Sequence, residues 1–275
     1  MIRIAIPSAG KLRTESTDLL RRMGIALPYN SAGAHTQASN FPLNALFMPE
    51  TELPALVAEG LCDLAIVGSH LVAENQTDVQ TLRRLNIGQR KLAIVTTNNS
   101  TRAPRTIATA LPKLLGTHLK NASIRAKIIK TDSARAWVEA GVIDCFFDAI
   151  DTDKPIDTDK MRLVEKTGDS QAIVIGCQQP SAQNQIIIDN LLMRLDATLQ
   201  ATSKKVVTLH IRKEFCDALV RILPCQKKPI VTELDNETNL VRSIMDEVRF
   251  WDVAATLKEM HATNITVTPV EQIIF

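Results

Sequence analysis

The chain lacks an excess of charge of either sign, because its 275 residues include 32 Lys and Arg against 30 Asp and Glu. Proteins that bind nucleic acid without sequence preference usually carry a basic surface, so this balance argues against that class. We therefore expect any anionic ligand to be bound by local geometry rather than by the field of the whole molecule.

The cysteines and histidines form no recognisable metal motif. None of the five cysteines belongs to a C-x-x-C pair, and the five histidines show no ligand spacing with them. We expect reduced, mostly buried thiols, and we expect each lone histidine to be a surface residue or a hydrogen-bonded core residue.

Long apolar runs are also missing. The apolar segment 1–7 is far shorter than the hydrophobic region of a signal peptide, and no run approaches the ~20 apolar residues of a membrane span. The expectation is a cytoplasmic protein with neither a membrane nor a nucleic acid as partner.

What the sequence does contain is a regular alternation of strands and helices. The pattern predicts strands at 2–6, 45–48, 64–67, 92–95, 106–108, 124–129, 143–147 and 173–175, with helices at 12–23, 52–59, 111–118, 132–140 and 182–201. Such alternation is typical of an α/β protein with mostly parallel sheets, whose ligands bind at the carboxyl ends of the strands. We predict two α/β lobes, formed by 1–95 with 172–203 and by 96–171.

The last segment, 204–275, has a different order. Strands are predicted at 205–211, 229–234, 240–247 and 264–268, and helices at 214–223 and 250–260. The order β-α-β-β-α-β is that of a ferredoxin-like domain. Domains of this kind often bind effectors or mediate assembly, although the fold alone does not establish a function.

Short segments along the whole chain carry a family resemblance. Residues 4–12 (IAIPSAGKL), 63–68 (DLAIVG), 85–88 (LNIG), 107–109 (IAT) and 267–271 (VTPVE) occur in this order. Together they resemble the long form of the ATP phosphoribosyltransferases. The resemblance implies a two-lobed catalytic region that is similar to periplasmic binding proteins, followed by a ferredoxin-like regulatory domain.

The resemblance also implies an activity. Members of the family carry out the first step of histidine biosynthesis with Mg²⁺, transferring phosphoribosyl from phosphoribosyl pyrophosphate (PRPP) to N1 of ATP. The expected partners are therefore ATP, PRPP, histidine as an allosteric effector, and further copies of the chain in a dimer or hexamer.

The family's phosphoribosyl loop, Asp-x-x-x-Asp followed by Ser/Thr-Gly-x-Thr-Leu, is similar to residues 144–156 here. Carboxylates can accept hydrogen bonds from ribose hydroxyls or hold Mg²⁺ through water, and a glycine-bearing turn can close on a phosphate. By resemblance, the catalytic residues are Asp144 and Asp148. The implied substrate-binding residues are Gly10, Lys11, Asp63, Gly68, Thr152, Asp153 and Lys154.

Some positions depart from the family pattern. Asp153 stands where the family has glycine, Pro155 where it has threonine, Ala9 where it has lysine, and Arg135 where it has an acidic residue. A carboxylate beside a phosphate repels it, and proline removes an N–H donor. A second hypothesis is therefore an impaired or inactive homologue that binds a small anion or a partner subunit.

Purely structural roles also stay open for several of these residues. Asp144 and Asp148 could be solvated turn residues, Gly10 and Gly68 ordinary loop glycines, and Asp63 simply the start of a strand. In the last domain, Ile230 and His261 replace a threonine and a glycine of the family, which leaves histidine feedback open.

Overall fold

The computed structural model describes residues 1–28, 33–98, 105–152, 156–225 and 227–274. The chain divides into two compact units, the first formed by Met1–Arg21 with Ile25–Asp189 and the second by Arg22–Gly24 with Asn190–Phe275. Among the described residues, no helix is both long and apolar enough to cross a membrane.

The first unit contains a six-stranded sheet built from both ends of its sequence. Its strands follow the order β2-β3-β1-β4-β11-β5, in which β1 is parallel to β3 and β4, and β11 is antiparallel to β4. The strands are β1 (Ile2–Pro7), β2 (His35–Gln37), β3 (Leu43–Met48), β4 (Leu64–Gly68), β5 (Gln80–Arg84) and β11 (Ala172–Gly176). Three helices are linked to these strands: α1 (Gly10–Arg22), α2 (Leu53–Ala58) and α3 (Ser69–Asn75).

The central strands of this sheet are almost wholly apolar. All five residues of β4 are buried, as are five of the six residues of β1. Strands covered on both faces have this composition, because neither face meets water. Their carboxyl ends bring Pro7, Met48 and Gly68 to one edge of the sheet.

A second, five-stranded sheet lies in the same unit, with the order β10-β6-β9-β7-β8. Strand β7 is parallel to β8 and β9, whereas β6 is antiparallel to β9 and β10. The strands are β6 (Arg90–Thr97), β7 (Thr106–Thr109), β8 (Lys127–Lys130), β9 (Cys145–Asp151) and β10 (Met161–Ser170), and the helices are α4 (Pro112–Asn121) and α5 (Ala134–Glu139).

The structure corrects two details of the predicted lobes. Strand β6 pairs in the second sheet, so the first lobe ends before Arg90 and not at residue 95. Strands β2, β5 and β10 and helix α3 have no counterpart in the prediction. Strand β10 is not predicted because it is an edge strand in which only two of the ten residues are buried, which leaves little apolar pattern.

The second unit contains the predicted ferredoxin-like domain. Its four-stranded antiparallel sheet has the order β13-β14-β12-β15, and α7 and α8 pack on it. The elements are β12 (Lys204–Arg212), α7 (Lys213–Ile222), β13 (Ile230–Glu233), β14 (Thr238–Asp246), α8 (Glu247–Glu259) and β15 (Thr263–Pro269). The order confirms the sequence-based prediction of β-α-β-β-α-β, and with the α/β first unit it confirms the fold class.

The long helix α6 (Ala182–Ala201) has the predicted bounds, but its residues are divided between the units at Asn190. Twenty helical residues span ~30 Å, so the helix is long enough for its two parts to belong to different units. Within the second unit, the carbonyl of Ala197 accepts a hydrogen bond from the N–H of Ile273. The first unit thus ends at Asp189, whereas the predicted lobe segment runs to residue 203.

Candidate active site

A cavity of ≈ 340 Å³ lies at the carboxyl ends of the parallel strands of the second sheet. Loops at this end of a parallel sheet are where α/β proteins bind their ligands. The cavity is lined by residues that follow β7 and β8, by the start of α5 and by one residue of β9: Ala110, Thr131, Asp132, Ser133, Ala134, Arg135, Ala136, Glu139 and Asp148.

Asp148 is the carboxylate that β9 contributes to this cavity. Burial raises its pKa above the ordinary value for aspartate, while the N–H of Ala149, 2.7 Å from Oδ1, and the charges of Arg90 and Arg135 act in the opposite direction. The neighbouring Asp151 raises the pKa further. The charge of Asp148 therefore depends on two guanidinium groups, and its oxygens can accept hydrogen bonds from ligand hydroxyls.

The structure separates Asp144 from Asp148. Asp144 immediately precedes β9 and is exposed, and its carbonyl accepts hydrogen bonds from Thr96 Oγ1 at 2.9 Å and from Thr97 N at 3.3 Å. Four residues of extended strand span ~13 Å, so the two carboxylates lie far apart along β9. The sequence motif groups them as catalytic residues, and of the two it is Asp148 that lines this cavity.

The predicted phosphate loop begins directly after β9. Both the N–H and the hydroxyl of Thr152 donate to the carbonyl of Gln89, each at 3.2 Å. Asp153 and Lys154, together with Pro155, lie outside the described residues. The structure thus places the start of this loop beside the residue that precedes β6.

In the first sheet, Gly10 and Lys11 begin α1 at the carboxyl end of β1. Gly10 has φ +80°, a left-handed conformation that favours glycine, and an added Cβ would meet no atom within 4 Å. Lys11 Nζ lies 3.4 Å from Glu15 Oε1, and Glu15 Oε2 accepts a hydrogen bond from the N–H of Gly88 at 2.9 Å. Lys11 is therefore already part of a local charge network.

Gly68 and Asp63 lie at opposite ends of β4. A Cβ on Gly68 would stand 2.4 Å from Cε1 of His70, so close packing requires glycine here. Asp63 accepts hydrogen bonds from the backbone N–H of Arg3 and from Asn184 Nδ2, both at 2.7 Å. Asp63 is not brought together with the other predicted site residues, and its contacts match a structural role in which it stabilises the start of the strand.

Sequence analysis missed a charged cluster formed by Arg90, Glu50 and Asp151. The guanidinium of Arg90 binds Glu50 in bidentate fashion, with both N–O distances at 3.0 Å, and its Nε donates to Asp151 Oδ1 at 3.1 Å. Glu50 Oε1 also accepts a hydrogen bond from the N–H of Gly68 at 3.2 Å. The partners of Arg90 are 40 and 61 positions away in the sequence, so no motif could have indicated the cluster.

His70 lies next to this cluster as a hydrogen-bonded core residue. Its Nδ1 is 2.8 Å from Ser170 Oγ, and that hydroxyl also lies 3.0 Å from Ser69 Oγ. Burial, together with the positive charge of Arg90, lowers the pKa of His70 to about 3. The imidazole is therefore neutral at physiological pH, and for this residue the expectation of a hydrogen-bonded core histidine is confirmed.

Comparison with known proteins agrees with the segments noted in the sequence. The family model described as ATP phosphoribosyltransferase matches residues 49–197, and the model described as HisG, C-terminal domain matches residues 201–272. The chain is 30% identical to an ATP phosphoribosyltransferase of Bacteroides fragilis and 29% identical to that of Bacteroides thetaiotaomicron, with all of both chains covered in each comparison.

A solved structure gives an independent comparison of the fold. The ATP phosphoribosyl transferase (HisG:HisZ) complex from Thermotoga maritima aligns with a TM-score of 0.60 at 15% identity, covering 71% of this chain and 96% of that one. At this identity the likeness concerns the fold alone. Taken with the two family models and the full-length relatives, the chain belongs to the ATP phosphoribosyltransferase family, in its long form.

Proposed function

We propose that this protein transfers the phosphoribosyl group of PRPP to N1 of ATP with release of pyrophosphate, the first step of histidine biosynthesis. The observation that carries the proposal is the position of Asp148, which lines a cavity at the carboxyl ends of the parallel strands β7 and β8. The chain around it matches full-length relatives of the family along its whole length.

Asp148 is proposed to accept hydrogen bonds from the ribose hydroxyls and to stabilise the positive charge that develops at the reacting sugar carbon. A fixed charge in a partly dry site is effective because it needs no reorganisation during the reaction. Arg90 and Arg135 both lower the pKa of Asp148, which favours the ionised form that this role requires.

The positions of the remaining predicted residues favour different roles for them. Thr152, Asp153 and Lys154 are proposed to approach the 5′-phosphate, with Gly10, Lys11 and Gly68 at the facing edge of the first sheet. Asp63 is proposed to have a structural role, because its carboxylate accepts hydrogen bonds at the start of β4. Asp144 is proposed to contribute less than Asp148, because it does not line this cavity.

Magnesium is proposed to enter as part of the substrate. Among the described residues, no three His, Cys, Asp or Glu side chains converge as a metal site, although Asp132, Glu139 and Asp148 each line part of the cavity. Mg²⁺ commonly binds through one or two carboxylates and substrate phosphates while it keeps several waters, so this donor set fits an ion carried by PRPP.

The ferredoxin-like domain is proposed to bind histidine and to mediate assembly into dimers or hexamers. Both are properties of the family that the order β-α-β-β-α-β supports only at the level of fold. A cytoplasmic location belongs to the same proposal, because the proposed substrates are cytoplasmic metabolites.

The test is calorimetric titration of Mg²⁺–PRPP, followed by ATP-dependent pyrophosphate release. We expect the wild-type protein to bind and turn over, and Asp148→Asn to lower kcat about 100-fold, the scale for loss of a transition-state charge contact. Asp144→Asn on the same segment is the matched control and should have a much smaller effect.

The outcomes separate the two hypotheses. A folded wild-type protein that neither binds PRPP nor releases pyrophosphate would support the inactive homologue. Equal rates for Asp148→Asn and the wild type would remove Asp148 from the mechanism while leaving the reaction assigned.

A further inference from the structure

Arg90 connects the end of β9 to the first sheet. Its bidentate partner, Glu50, follows β3 and also accepts the N–H of Gly68 at the end of β4. Its third contact is Asp151, the last residue of β9. One side chain therefore joins strand ends from both sheets at the edge where the predicted phosphate loop begins.

The side chains of this cluster are largely shielded from solvent. The side chain of Arg90 is 15% exposed and that of Glu50 is 19% exposed. A buried ion pair is weak evidence for a gain in stability, because desolvation offsets most of the attraction. The planar guanidinium does, however, impose direction on every contact, which a lysine in the same place would not.

The negative charge of Asp151 disfavours phosphate binding nearby, and Arg90 compensates this charge. Asp151 immediately precedes Thr152 in the segment that is similar to the family's phosphate loop, and an unpaired carboxylate there would repel a phosphate. In the structure, Asp151 Oδ1 accepts a hydrogen bond from Arg90 Nε at 3.1 Å. The positive charge of Arg90 thus offsets the negative charge of Asp151.

A second contact holds the same two stretches of chain together. The carbonyl of Gln89, next to Arg90, accepts hydrogen bonds from both the N–H and the hydroxyl of Thr152. Residues 89–90 therefore fix residues 151–152 through backbone and side chain alike.

We propose that Arg90 is a positioning residue for PRPP, which orients the carboxylate of Asp151 and neutralises its charge so that the substrate phosphate can approach Thr152. The inference rests on the proposed function, since it concerns the same substrate. It assigns Arg90 no contact with the substrate, because the guanidinium is occupied by Glu50 and Asp151.

The experiment compares Mg²⁺–PRPP affinity by calorimetry in the wild type, Arg90→Gln, and Arg90→Gln with Asp151→Asn. Removing the guanidinium exposes the Asp151 charge, and we expect the dissociation constant to rise about tenfold or more, the scale for losing a charged hydrogen bond. Neutralising Asp151 in that background should recover most of this loss, and KM for ATP should change far less than KM for PRPP.

Two further variants control for stability. If Arg90→Gln fails to fold, Arg90→Lys takes its place, because lysine keeps a positive charge near Glu50. Adding Asp151→Asn to Arg90→Lys should then raise the affinity for PRPP in the same way. Lys204→Gln removes an ion pair of similar burial, 2.9 Å from Asp246 in the second unit, and should leave PRPP affinity unchanged.

Each outcome bears on the inference directly. Recovery of affinity by Asp151→Asn supports it, because a purely structural Arg90 would change the melting temperature without such recovery. Weak binding that Asp151→Asn does not restore, or unchanged affinity in Arg90→Gln, overturns the inference while wild-type binding still supports the proposed function. A wild-type protein that binds no PRPP overturns both.

Discussion

Replacing Gly68 with alanine should destabilise the first unit through crowding alone. The backbone at Gly68 has φ −66° and ψ 132°, which any residue adopts, so the substitution brings no conformational strain. The added Cβ would nevertheless lie 2.4 Å from Cε1 and 2.6 Å from Nδ1 of His70, and 3.1 Å from Glu50 Oε1. Something must move to relieve contacts this short.

Neither neighbour can move without losing a bond. The ring of His70 is 5% exposed and is hydrogen-bonded to Ser170 Oγ, and Glu50 is bound to Arg90. Overpacking a core costs about 1–3 kcal/mol, and breaking a buried hydrogen bond adds about 1–3 kcal/mol. On these two contributions, we expect Gly68→Ala to lower the free energy of unfolding by about 2–5 kcal/mol.

Gly116→Ala is the matched control, because it is the same chemical change inside helix α4. Its Cβ would meet only Ile128 Cδ1, at 3.7 Å, and alanine in a helix is favoured over glycine by about 0.5–1 kcal/mol. Urea unfolding followed by circular dichroism should therefore move the two midpoints in opposite directions. A Gly68→Ala midpoint within error of the wild type would refute the packing argument.

Three buried or hydrogen-bonded carboxylates give further predictions. Because the pKa of Asp148 is raised and its ionised form is needed, kcat/KM should fall as pH drops through a value above the ordinary ~3.9, and Asp148→Asn should abolish that acid limb. Glu74 accepts hydrogen bonds from two backbone N–H groups in the first turn of α4, at 2.9 and 2.8 Å. Glu74→Ala should therefore lower the free energy of unfolding by about 2–3 kcal/mol, and thermal melting should show a smaller loss for Glu74→Gln. Asp63→Ala should lower the melting temperature strongly and change KM for PRPP only slightly, whereas a large KM effect with little loss of stability would restore its predicted binding role.

Much of the architecture could be predicted because it follows from local patterns of apolar and turn-forming residues. The bounds of α6 follow from a long segment without helix-breaking residues, and β12 to β15 follow from apolar runs separated by turns. Strand β4 is recognisable because residues 64–67 form an uninterrupted apolar run, and the structure buries all of them. In each case the signal depends on residues within a few positions of each other.

The arrangement of the candidate site depends on contacts that a local motif does not describe. The sequence motif groups Asp144 with Asp148, but Asp148 lies in the middle of β9 and lines the cavity, whereas Asp144 precedes the strand, and an extended chain carries residues four apart ~13 Å from each other. Edge strand β10 and the transfer of β6 to the second sheet depend on pairings between distant segments, which local periodicity does not encode.

The sequence by itself determined the order and kind of most elements, the ferredoxin-like domain and the family, because hydrophobic periodicity and short motifs are local properties. Only the tertiary structure decided which carboxylate meets the cavity and that Arg90 joins Glu50 to Asp151 across 40 and 61 residues. The physical reason is that such contacts arise when separate strands end at the same edge, and that meeting is fixed by the packing of the whole unit.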